Sequence, residues 1–165
     1  MAKPNTLQEK IDHAWDLAKS MRKGMLYTNE GNRVVGRPMA LVQDEFSGKL
    51  FFFSDSGTGK ISQIREDSKV GVGFACPKDD NYVHFDGSAR VVRDQATKDQ
   101  YWSKFLKLWF PEGKEAANVV LLEISVENIE YWDSHNAVSQ AIEAARALIK
   151  DDTAKLGENE EVSLA

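Results

Sequence analysis

The chain has 165 residues, a formal net charge of −5 and one cysteine, a length that suits one domain burying roughly two thirds of the surface its unfolded form exposes. The lone Cys76 excludes an intrachain disulfide, and the acidic balance, with no basic face or stripe, argues against a nucleic-acid binder. No apolar run approaches the ~20 residues of a membrane span, and MAKPNTLQEK lacks the apolar core of a secretory signal, so a cytoplasmic location without membrane attachment is expected.

Leu7, Ile11, Ala14, Trp15, Ala18 and Met21 fall at helical spacing behind a capping box, Thr6-x-x-Glu9. Gly24 is expected to end this helix, and His13, near its polar boundary, to sit in water. Met25 to Asn29 reads as a strand that turns through Glu30-Gly-Asn into a second strand from Arg33 to Val42. Pro38 cannot donate to a ladder, which places that strand at an edge or bulge and keeps backbone groups near it free for a flat heteroaromatic ligand.

Phe51, Phe52 and Phe53 in a row suit a strand packed on both faces, from Lys49 to Ser54. It runs into Asp55-Ser-Gly-Thr-Gly-Lys60, ahead of a short helix, ISQIRED. Ser54, Ser56 and Thr58 bring hydroxyls, Gly57 and Gly59 let backbone approach, and a helix start favours phosphate. With Arg37 converging from the neighbouring strand, two cations and several hydroxyls suit one phosphomonoester. The bland alternative is that an Arg in a strand and a Ser/Thr/Gly loop before a helix are ordinary surface and capping features. The G-x-x-x-x-G-K-[ST] spacing of a P-loop is absent.

Lys69 to Cys76 alternates larger residues with Gly71, Gly73 and Ala75, leaving one strand face nearly bare. Such a face meets a partner subunit or a flat ring, or else lies in a core too crowded for side chains; both readings stay open here. Pro77 to Asn81 is a turn, and Tyr82 to Val92 a strand with Val83, Phe85, Gly87, Ala89 and Val91 on its core face. Asp94-Gln-Ala-Thr caps an expected helix whose Tyr101, Trp102, Phe105, Leu106 and Trp109 form an aromatic stripe, mostly core, with Trp109 and Phe110 placed to cover a pocket or interface. Val119 to Val126 is a strand that continues from Ile129 to Trp132 past a bend or bulge at Glu127-Asn128. A last helix is expected from Val138 to Ile149. Residues 1–150 thus form one domain with helices at both ends, and 151–165 an acidic flexible tail. Successive strands with few helices favour an antiparallel barrel or sandwich over a doubly wound sheet.

GRPMALV at Gly36 to Val42, KLFFFSDSGTGK at Lys49 to Lys60, YVHFDGSARVV, WFPEG at Trp109 to Gly113 and LEISVENIEYW at Leu122 to Trp132 together resemble one family. It is the flavin-binding split barrels related to pyridoxamine 5′-phosphate oxidase, and within them the general stress protein 26 group. The resemblance implies a mainly β fold with flanking helices, a six-stranded antiparallel Greek-key split barrel. It also implies a homodimer with FMN, or FAD as the other option, in two clefts at the interface. Arg37 matches an arginine that reaches the flavin phosphate, and Pro38, Met39, Ala40 and Leu41 match the strand beside the isoalloxazine ring. Phe53 and Ser54 match the pair where the next strand ends. Gly59 and Lys60 match a two-residue basic step of which only Lys60 is basic here. Tyr82 stands where the oxidases have a glutamine reaching flavin from the other subunit, and Trp132 matches a tryptophan at the ring.

The oxidases carry an Arg-x-His grip for the substrate phosphate soon after that tryptophan, whereas this chain has no Arg or Lys from Asp133 to Ala145. Oxidation of pyridoxine 5′-phosphate is therefore not expected, and isolated His135 is assigned to solvent or a helix cap. His84, Cys76 and the nearby acids show neither metal-ligand spacing nor a nucleophile, base and orienter trio, so no metal and no catalytic residue is assigned. Three functions compete: a flavin-holding stress protein without a committed substrate, a flavin-dependent oxidoreductase on an unidentified small molecule, and a β-barrel interaction domain with an empty cleft. The first is preferred because no substrate grip is recognisable.

Overall fold

The alternating segments assemble into one antiparallel sheet in the computed structural model, which describes residues 6–133 and 158–164. Its strands are β1 (Lys23–Glu30), β2 (Arg33–Ala40), β3 (Lys49–Asp55), β4 (Lys69–Cys76), β5 (Asn81–Val92), β6 (Val119–Asp133) and β7 (Glu158–Ser163). Their order is β2-β1-β4-β5-β6-β3, with β7 added on β6. The fold is mainly β with flanking helices, as expected, but the sheet has seven strands rather than six and does not close. The extra strand comes from the tail that was expected to be loose. Val162 is buried there between exposed neighbours, too short an apolar signal to stand out in an acidic stretch. The helix expected from Val138 to Ile149 lies outside the described residues.

Helix α1 (Leu7–Met21) opens on the capping box, with Glu9 N–H on Thr6 Oγ1 and Thr6 N–H on the Glu9 carboxylate. Ala14, Trp15 and Ala18 bury its apolar stripe against the sheet. It ends before Gly24: Arg22 itself takes the left-handed conformation at φ 62° and donates its N–H to Ala18 O. Gly24 instead lies within β1, where a Cβ would stand 2.9 Å from the Phe74 ring. His13 is not simply solvated; its Nε2 lies 2.7 Å from the Asp133 carboxylate.

The strands bury two cores. Leu26, Phe52, Phe74, Phe85 and Ile124 belong to the larger one, on the face that α1 and α2 (Gly59–Glu66) cover. Phe51, Phe53, Val92 and Leu121 form a smaller one on the opposite face. β3 is thus buried on both sides, and each phenylalanine taken from water contributes about 1.5–3 kcal/mol. The lid over this second core is not the single aromatic helix expected. Helix α3 (Gln95–Tyr101) stops at Trp102, which is extended, and a 3₁₀ turn follows over Lys104–Leu108. Neighbouring residues of a helix point about 100° apart. The break lets Tyr101 stack on Phe51 at 4.2 Å while adjacent Trp102 packs edge-on to Phe53 at 5.2 Å.

β6 pairs β3 along its first half and β7 along its second. Of the expected bend or bulge, the structure has a bulge: Asp86 faces Asn128 and Gly87 faces Val126, so Glu127 has no opposite number on β5. The bare face of β4 is on the outside of the sheet, not in a crowded core. The His84 ring lies over Gly71, and the Tyr27 ring lies against Gly73 and Gly36.

Candidate functional site: two cations on neutral oxygens

β2 is an edge strand, as Pro38 requires, and its alternation decides which residues reach the site. Arg37 lies opposite Leu26 on β1 and so shares the inner face, at the sheet margin beside α2. Its Nη1 donates to Thr28 Oγ1 at 2.6 Å and its Nη2 to Gln63 Oε1 at 2.7 Å. The loop after β3 brings the second cation. Lys60 Nζ donates to Ser54 Oγ at 2.9 Å and to Thr58 Oγ1 at 3.0 Å. Thr58 is the N-cap residue of α2, yet its hydroxyl makes no cap bond; it donates to Asp55 O at 2.8 Å.

All these acceptors are neutral. Among the described residues neither Arg37 nor Lys60 makes a salt bridge. The nearest loop carboxylate, Asp55, accepts from Gly57 N–H and Asn118 Nδ2, bonds that hold its pKa below the usual carboxylate range. Burial lowers the Lys60 pKa first, and the charge of Arg37 lowers it further, against a smaller pull from Asp55. Burial likewise lowers that of Arg37, opposed by Glu30. Two like charges that act on each other are therefore held partly out of water, with Glu30 and Asp55 acting on them but no described carboxylate in salt-bridge contact. A bound dianion relieves that cost.

Lys60 Nζ is bonded to Ser54 Oγ and lies near enough to Arg37 to feel its charge, and a Cβ at Gly59, at the start of α2, would stand 3.7 Å from Gln63 Nε2. The other candidates are dispersed. Pro38 and Ala40 are exposed on the outer side of β2, while Met39 and Leu41 are buried and Leu41 N–H is bonded to Arg22 O. The Phe53 ring is taken up by Trp102 and Phe110 in the second core. Tyr82 and Trp132 face each other across β5 and β6 on the outer side. Three strand spacings for Tyr82 and four for Trp132, roughly 14 and 19 Å, and the thickness of the sheet separate them from Arg37 in the same chain. Sequence reasoning overlooked Thr28 and Gln63, which are 1% and 6% exposed. The signal was present: Thr28 shares the inward parity of Leu26, and Gln63 sits in the buried stripe of α2 between Ile61 and Ile64.

Among the described residues no group of His, Cys, Asp and Glu is arranged to hold a metal, and no helix is long and apolar enough to cross a membrane.

A family model described as Pyridoxamine 5'-phosphate oxidase like matches residues 9–155. No curated protein matches the chain. Solved structures do. A candidate general stress protein 26 from Jannaschia sp. CCS1 superposes with a TM-score of 0.74 at 23% identity, over 94% of this chain and 99% of that one. The general stress protein 26 of Bacillus anthracis str. Sterne gives 0.65 at 25% identity, over 73% and 91%. A general stress FMN/FAD binding protein from Xanthomonas citri gives 0.68 at 26% identity, over 79% and 91%.

Proposed function

The chain belongs to the pyridoxamine 5′-phosphate oxidase-like family, and from that membership we propose that it is a general stress protein that binds a flavin nucleotide, FMN before FAD, between two copies of itself. The observation that carries this reading is the Arg37 and Lys60 pair, two cations bonded only to neutral oxygens. They fit a phosphomonoester. Arg37, Lys60 and Ser54 hold the phosphate, and the exposed margin of β2 at Pro38 and Ala40 offers backbone to the ring system. A bound flavin would supply one- and two-electron chemistry; the protein's part is to bind and orient it.

A second copy completes the site in this reading. Tyr82 and Trp132 lie on the outer face, away from the Arg37 face of their own chain, so they reach a flavin only as the partner's contribution. That outer face also leaves Met25, Tyr27 and Trp132 each 37% exposed, apolar surface that dimerisation covers. The FMN titration should give tight binding with a bound flavin spectrum, and light scattering at low micromolar concentration should give a dimer. A protein that stays colourless with added flavin, or a clean monomer, overturns the reading.

Oxidation of pyridoxine 5′-phosphate is not part of it. A phosphorylated substrate above the flavin needs its own anion grip, and 133–145 contains no Arg or Lys. The flavin-loaded protein should form pyridoxal 5′-phosphate only at background rate; turnover like that of a true oxidase sinks the claim. Reduction of another small molecule is the second reading, favoured by the His84 ring over Gly71 and the Tyr27 ring against Gly73 on the same open face. Reoxidation of the reduced flavin by added acceptors tests it.

A further inference from the structure

The guanidinium of Arg37 is held by two buried side chains, Thr28 and Gln63. Gln63 lies in α2 at 6% exposure, and its amide has three partners. Nε2 donates to Glu30 Oε1 at 3.0 Å, which turns Oε1 toward Arg37. Oε1 then accepts from Arg37 Nη2 at 2.7 Å and from the Thr28 hydroxyl at 2.6 Å. With its proton given to Gln63, the Thr28 oxygen accepts from Arg37 Nη1 at 2.6 Å. One hydrogen-bond direction, set at Glu30, thereby fixes all the others.

Two features make this more than a packing arrangement. The first is charge: Gln63 stands as a neutral spacer between the Glu30 carboxylate and the Arg37 guanidinium, which do not form a salt bridge. Glu30 pairs instead with Arg33 at 3.6 Å. The second is geometry. Both Nη atoms are pinned from the protein side on oxygens that carry no net charge, and a guanidinium has five N–H donors. The plane is fixed while its remaining donors and its full charge stay available to a ligand.

We propose that Gln63 is the positioning and specificity-determining residue of the phosphate grip: as an amide it orients Arg37 without neutralising it, and thereby makes the site select a phosphorylated flavin over an unphosphorylated one. This rests on the flavin reading above. A carboxylate at 63 would keep the size and the acceptor but supply the counter-charge, leaving Arg37 paired and an incoming phosphate facing an anion.

The test is titration of the full chain with FMN and, separately, with riboflavin, which lacks the phosphate, for the parent, Gln63→Leu, Gln63→Glu and Arg37→Ala. Gln63→Leu should weaken FMN by about tenfold and the near-isosteric Gln63→Glu by about a hundredfold, with riboflavin held within about twofold in both. The riboflavin arm separates the roles, because a merely structural amide, whose replacement by glutamate also sets a carboxylate against Glu30, would weaken both flavins together. Thr28→Val, which removes the other acceptor with little change of shape, should weaken FMN several-fold with riboflavin unchanged, and stands in if a Gln63 variant does not fold. FMN affinity retained in Gln63→Glu, or equal losses for both flavins, overturns the inference. Loss in Arg37→Ala without loss in the Gln63 and Thr28 variants overturns it while leaving the flavin reading intact. A parent that binds neither flavin overturns both.

Discussion

Two cation pairs lie on or beside this sheet, and the chain treats them in opposite ways. Lys49 and Arg90 converge on Glu123, whose side chain is 6% exposed: Lys49 Nζ lies 2.9 Å from Oε1, Arg90 Nε 2.8 Å from Oε1 and Nη2 2.9 Å from Oε2. Arg37 and Lys60 have hydroxyls and an amide where the first pair has a carboxylate. The titration behaviour divides the same way. Glu123 holds the Arg90 pKa above its ordinary value, and Arg90 chiefly holds that of Glu123 below, whereas Arg37 and Lys60 are both lowered. A cation whose charged form is favoured by its surroundings serves the fold. One whose charged form is disfavoured is kept at a cost that a bound anion would offset.

The double variant Arg37→Ala/Lys60→Ala separates the two pairs most sharply. Charge-assisted hydrogen bonds contribute about 1.5–3 kcal/mol each, so FMN affinity should fall by about a hundredfold or more, and by about tenfold or more in each single variant. The melting temperature should hold or rise as the like-charge repulsion goes; parental FMN affinity would refute the assignment. Glu123→Ala should do the reverse. It leaves Lys49 and Arg90 beside a buried void and should lower unfolding stability by about 2 kcal/mol in denaturant titration, with FMN affinity unchanged.

Gly59→Arg sharpens the contrast by gain. A Cβ there meets nothing closer than Gln63 Nε2 at 3.7 Å, so a third cation can join the site and should tighten FMN by about 1 kcal/mol. No gain would mean the phosphate does not sit at the start of α2. The mildest probe is pH. Phosphate binding needs charged Lys60, whose pKa is lowered, so FMN affinity should decline as pH rises through a value below that of an ordinary lysine. Glu123 behaves in the other sense. Its lowered pKa stabilises the fold fully above the unfolded carboxylate value, and this is lost as pH falls through the folded one. Alkali should therefore release flavin from a folded protein and acid should loosen the fold; release in acid before any unfolding would contradict this division.

How much of this was legible in the sequence depended on whether a signal is local. The capping box of α1, the edge position announced by Pro38 and the bulge at Glu127 are written within a few residues, and each is found. The convergence of Arg37 with Lys60 was also readable, because a strand, a loop and a helix start lie close in the chain. Longer-range choices were not. Helix α1 stops before Gly24 because that glycine is claimed by the Phe74 ring from another strand. The aromatic helix breaks at Trp102 because Phe51 and Phe53 on β3 each take a ring. The seventh strand rests on one buried valine in an acidic stretch, and its place is set by β6.

β3 carries a consequence for how the chain comes into being. Its hydrogen-bonding partner in the sheet is β6, several dozen residues further along, and Leu50, Phe51, Phe52 and Phe53 are buried on both faces only once β6 and the lid of the second core are in place. A ribosome adding about 5–20 residues per second holds that run without a partner strand for several seconds. Four successive large apolar residues with an open edge form the kind of segment that joins another chain when left waiting. Yield in a cell should therefore follow the chaperone supply and the speed of translation between β3 and β6 more closely than the stability of the finished fold.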